Sequence, residues 1–156
     1  MIKRNSVSEK ILERGAESLK DWESGNVTLD DCLEQLRNEN GHEKSAVASL
    51  LFEYFRHKGF IDSLIQNQAR RGNVKQEMRV IVACTLTQSF FQTGIAPQSA
   101  VNVAVDYVKQ RYGHGPGAFI NAIMRSILSS KDAKNIPPYS FPEALREKWL
   151  KQFGKE

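Results

Sequence analysis

The stretch that decides the fold runs from Ala96 to Leu128. It reads Ala96-Pro97, an amphipathic run to Tyr112, then Gly113-His114-Gly115-Pro116-Gly117, then Ala118-Phe119-Ile120-Asn121-Ala122-Ile123-Met124-Arg125-Ser126-Ile127-Leu128. Pro97 suits the first turn of a helix that buries Val101, Ala104, Val105, Val108 and Tyr112. Gly113 closes that helix and Pro116 can open the next, in which Phe119-Ile120, Ile123-Met124 and Ile127-Leu128 make a broad apolar face. No strand precedes the glycines, whereas a phosphate-cradling loop of a nucleotide-binding fold follows one. They therefore read as a tight turn between helices.

Outward from this pair, apolar spacing predicts helices nearly throughout. Helix one covers 7–23, with Leu12, Ala16 and Leu19 on one face and Trp22 close to it. Thr28 and Asp31 form a capping-box pattern that opens a short helix through Leu29, Leu33 and Leu36. A third helix spans about 43–58, Gly59 interrupts, and a fourth uses Ile61, Leu64 and Ile65 before Arg70-Arg71-Gly72. Helix five, about 75–93, is apolar on more than one side around Val80 to Leu86, the mark of a central bundle helix. Gly94 suits its C-terminal cap. The expected fold is all-α: about seven helices over 1–130, then a Pro-rich linker and a short C-terminal helix over 131–156. In that last segment Pro137-Pro138 breaks regular structure, and Pro142 opens a run with Leu145, Trp149, Leu150 and Phe153.

Composition narrows the function. The 22 lysines and arginines exceed the 18 carboxylates, giving a net charge of +4, a mild tilt towards anionic partners. Residues 24–55 hold two basic and six acidic side chains, whereas residues 56–79 hold six basic and two acidic ones. Cys32 and Cys84 form no CxxC pair, and no signal peptide is visible, so two free thiols in a reducing cytoplasm are expected. Cys84 lies in an apolar run and reads as a core residue. His42, His57 and His114 stand singly, without metal-ligand spacing, and each reads as solvated. No nucleophile elbow appears, and Glu9, Glu13 and Glu17 alternate with Lys10, Arg14 and Lys20 as an exposed ion-paired face. No catalytic, metal or cofactor site is expected in this chain.

Two basic groups remain as candidates for phosphate contact. One is Lys3, Arg4, Lys10 and Arg14. The other is Arg70, Arg71, Lys75 and Arg79, of which Arg71, Lys75 and Arg79 share a face if helix five begins early enough. Cations of this kind neutralise backbone phosphates and give affinity with little sequence readout. Lys75 and Arg79 at a helix start oppose its dipole, which invites a functional reason for them.

The chain resembles the NusB-like family, the all-helical module of transcription antitermination factors and of the N-terminal part of rRNA cytosine-C5 methyltransferases. Lys10 to Gly25, Ser49 to Leu64, and Ala96-Pro97 through Phe119-Ile120-Asn121-Ala122-Ile123-Met124-Arg125 carry the likeness, with Ala122 where the family usually has glycine. Ser140 to Gly154 is similar to the segment that follows this module in the methyltransferases. The resemblance implies a non-catalytic domain that binds RNA, with rRNA as the expected ligand, ahead of a catalytic domain absent from this chain; S-adenosylmethionine would belong to that absent domain. It also leaves open a free-standing antitermination factor that binds RNA and a ribosomal protein, and a protein–protein adaptor docking through its Trp149 helix.

Overall fold

Helix boundaries follow local chemistry closely. The computed structural model describes residues 6–36, 41–68, 74–92 and 94–135. Helix α1, Val7–Glu23, starts where the Ser6 side chain accepts a hydrogen bond from the Glu9 amide. Helix α2, Leu29–Gln35, has the capping box in full: Thr28 Oγ1 accepts from the Asp31 amide at 3.1 Å, and Asp31 Oδ2 accepts from the Thr28 amide at 2.9 Å. Then come α3, Gly41–Arg56; α4, Lys58–Gln68; α5, Gln76–Phe91; α6, Pro97–Tyr112; and α7, His114–Leu128. No strand occurs among the described residues.

Helix α5 is the centre of the bundle and touches α1, α3, α4, α6 and α7. Every residue from Val80 to Gln88 is buried. Its buried threonines return their hydroxyls to their own helix, Thr85 to the Ile81 carbonyl and Thr87 to that of Ala83, both at 2.7 Å, so no polar group is stranded there. Around it pack Leu12 and Leu19 of α1, Leu50 and Tyr54 of α3, Ile61 of α4, Val108 of α6 and Ile120 and Met124 of α7. Full burial of one such aliphatic side chain contributes about 1.5–3 kcal/mol. A smaller cluster, Leu36, Val47 and Leu51, seats α2 against α1 and α3. Cys84 is core, its thiol pKa pushed up to about 12 by burial and by the negative charge of Glu23.

Three local expectations change. The glycine-rich stretch is not a five-residue turn: only Gly113 lies between α6 and α7, and Gly115, Pro116 and Gly117 are already in the first turns of α7. Gly113 has φ +103°, which a side chain disfavours, while a Cβ on Gly117 would run into the Lys109 side chain. One glycine thus makes the reversal and another lets the two helices close on each other. Gly59 does not interrupt; it lies inside α4, and the break falls at His57. His57 is not solvated either. It is buried, with its ring stacked on Phe91 at 3.6 Å between centroids and 4° from parallel. Beyond α7 the packing continues through a 3-10 turn, Asp132–Lys134, which buries Ala133 and joins α4 through Asn67 to Asp132 at 3.3 Å. The expected C-terminal helix lies outside the described residues.

Candidate nucleic-acid interface

The described members of the two basic groups fall at opposite ends of α1. Lys10 and Arg14 are exposed near its start. Glu23, which meets α5 at the other end, is about 20 Å from Lys10 at a helical rise of about 1.5 Å per residue. The described members of the two groups therefore do not form one patch. Lys3, Arg4, Arg70 and Arg71 lie outside the described residues.

At the far end Arg79, Lys20 and Lys58 are held by carboxylates, whereas Lys75 is exposed and has no carboxylate partner among the described residues. Arg79 donates both guanidinium arms to Glu23, one to Oε1 at 2.6 Å, and Gln76 Nε2 donates to Oε2 of the same carboxylate at 3.1 Å. Burial acts to raise the Glu23 pKa, but these hydrogen bonds and the charges of Arg79 and Lys58 outweigh it and hold the group below its ordinary 4.5. Lys20 reaches Glu77 at 3.4 Å, and Lys58 pairs with Asp62, which also accepts from the buried Tyr54 hydroxyl at 2.9 Å. This network ties α1 to α5 and α3 to α4. The conditional stripe through Arg71, Lys75 and Arg79 does not form as helix: α5 begins at Gln76, and Lys75 is the capping residue with an extended backbone, ψ 144°. Arg79 opposes the dipole of α5 because Glu23, 56 residues away in sequence, is its counter-ion.

The near end is different. Lys10 has no carboxylate partner among the described residues. Arg14 meets Glu17 at 3.5 Å with both side chains half exposed, and Arg111 meets Glu13 across the α1–α6 contact, also at 3.5 Å. A contact as long as that of the half-exposed Arg111 contributes about 0–1 kcal/mol, so a phosphate can take that cation at little cost. Arg111 also lies 5.8 Å from the ring of Tyr112, an aromatic that is 40% exposed. Lys109 and Arg111 occupy the last turn of α6, where its dipole favours positive charge.

Lys109, Arg111 and Tyr112 are absent from the candidates drawn from sequence, and Tyr112, expected in the buried stripe of α6, is exposed instead. Their signal was there, two cations and an aromatic at a helix end, but α6 reads first as an apolar stripe. Arg111 lies beside α1 because α6 packs against it, and its contact with Glu13 spans 98 residues. Among the described residues no group of three His, Cys, Asp or Glu side chains could hold a metal ion, and no helix is long and apolar enough to cross a membrane.

No curated protein matches the chain. A chain in the crystal structure of a plectonemic RNA supercoil superposes with a TM-score of 0.66 at 17% sequence identity, over 78% of this chain and 93% of that one. Identity that low speaks to the fold alone. A family model, that of the NusB family, matches residues 10–129, the whole bundle from the second turn of α1 to the end of α7. The chain belongs to the NusB family.

Proposed function

We propose that this chain is a non-catalytic RNA-binding domain that holds phosphates at the start of α1 and the α6–α7 corner. The observations that carry this reading are the exposed Lys10, without a carboxylate partner among the described residues, and Arg111 in a loose ion pair beside an exposed Tyr112. Cations that give up their partners cheaply supply affinity, and an exposed ring offers a face for an unpaired base, worth about 1–3 kcal/mol. NusB family membership and a fold neighbour crystallised with RNA support it. Lys3 and Arg4, just upstream of α1, extend the same basic group in sequence. Arg70, Arg71 and Lys75 form a second candidate contact. Arg79, being committed to Glu23, serves the bundle.

The test is a filter-binding titration with single-stranded RNA and with a duplex of equal length. Lys10→Glu and Arg111→Glu are expected to weaken both, and Tyr112→Ala only the single strand. Unchanged affinity in both charge reversals removes this surface from RNA binding.

The finer assignment places the domain ahead of an rRNA cytosine-C5 methyltransferase catalytic domain. It is supported by the sequence from Ser140 to Gly154. The genomic reading frame past Glu156 tests it: a following S-adenosylmethionine domain supports it, and a stop codon there favours a free-standing antitermination factor, whose ribosomal-protein partner co-purification would reveal.

A further inference from the structure

An open groove of about 510 Å³ runs between the start of α1, α3, the end of α5 and the start of α6. Ile11, Ala46, Phe91, Ile95, Ala100 and Val103 give it an apolar floor, and Glu53 lies in its wall. Its size is that of clefts that enclose a whole ligand. Ile95 is among the few large hydrophobic side chains left exposed, and Val7, exposed by 49%, adjoins the groove residue Ser8. Apolar surface gathered around a groove in this way marks a covered face.

We propose that the groove is the docking site of this chain's own residues 142–153. The first argument is pattern. Leu145, Trp149, Leu150 and Phe153 fall at i, i+4, i+5 and i+8, one apolar stripe if helical. Such a stripe laid into an apolar groove is a standard mode of recognition. The second is reach. Helices α6 and α7 are 16 and 15 residues long and reverse through one residue, so α7 ends level with the start of α6, which is a wall of the groove. From Asn135 to Leu145 the chain can span about 33 Å, more than the roughly 20–24 Å across two helices. The third is charge. Residues 146–151 carry Arg146, Lys148 and Lys151 against Glu147 alone, and the groove lining holds no lysine or arginine to repel them, its one carboxylate, Glu53, being already paired with Arg56 at 2.7 Å.

The experiment uses the full chain with Trp22→Phe, so that Trp149 is the sole indole; Trp22 packs edge-on against Phe55, and phenylalanine keeps that contact aromatic. Acrylamide quenching of Trp149 is measured with and without Ile95→Glu and Ser49→Arg, both at exposed positions of the groove, with far-UV circular dichroism as the folding check. Docking predicts quenching several-fold slower than for the free 140–154 peptide, independent of protein concentration, and restored to the peptide's rate by either substitution. Three results overturn the proposal: quenching as fast as the peptide's in the parent chain, shielding that both substitutions leave intact, or shielding that grows with protein concentration, which assigns the groove to a second copy's segment.

Discussion

The two ends of α1 carry the same kinds of side chain and hold them differently. At the C-terminal end Arg79 is locked to Glu23 in a pair of which Glu23 is only 13% exposed, and Lys20 and Lys58 also meet carboxylates. At the N-terminal end Arg14 and Arg111 sit half exposed in 3.5 Å pairs, and Lys10 stands in water. Counting charges along the chain treats these ends alike. What separates them is the cost of taking a cation from its carboxylate, which is set by burial and by geometry.

The largest effect that sharpens this contrast is Arg79→Leu. It strands a largely buried carboxylate, and urea unfolding is expected to show a loss of about 2 kcal/mol, held below a fully buried case because a third of Arg79 reaches solvent. RNA affinity under conditions where the variant is folded is expected to match the parent. A parallel loss of affinity would make Arg79 a contact residue and blur the two ends.

Next comes Gly113→Ala. Its φ of +103° suits glycine and strains alanine, at a cost of about 1–3 kcal/mol. Because Gly113 makes the α6–α7 reversal next to Arg111 and Tyr112, the same variant is expected to bind RNA more weakly, while a variant at the other end does not. Equal affinity with lowered stability would show that the corner's shape is unimportant for RNA.

The smallest effect is a pH dependence. Burial pushes the His57 imidazole below its ordinary 6.5, Glu53 works against this and Arg56 adds to it. The folded state therefore binds that proton less readily than the unfolded chain. The contribution is complete above 6.5 and is lost as pH falls from there towards the lowered folded value. The loss tied to Glu23 lies around and below its ordinary 4.5, so the His57 contribution is read between 6.5 and 4.5. His57→Phe, which keeps a ring against Phe91 and removes a buried Nδ1 with no hydrogen-bond partner, is expected to flatten stability across that interval. A slope unchanged by the substitution would move the effect to another group.

Much of the bundle was legible because its signals are local. The capping box at Thr28, Pro97 at the start of α6, the all-round apolar character of α5 and the stripe of Leu12, Ala16 and Leu19 each lie within a few residues of what they specify. The misreadings share one cause. His57 is buried by Phe91, Arg79 is paired with Glu23, which its sequence neighbourhood does not show, and Arg111 lies beside Glu13 through the packing of α6 on α1, all partners distant in sequence. Gly59 misled for the complementary reason: its propensity to break a helix was overridden by the packing of Phe60 and Ile61. The basic residues themselves were visible, but not which of them remain available.

The most direct test is the salt dependence of RNA affinity for two double variants, Lys10→Glu with Arg14→Glu, and Lys20→Gln with Arg79→Gln. The account predicts a shallower slope for the first pair, by about 0.7 per lost phosphate contact on single-stranded RNA, and the parent slope for the second. Equal flattening in both, or flattening only in the second, would contradict it.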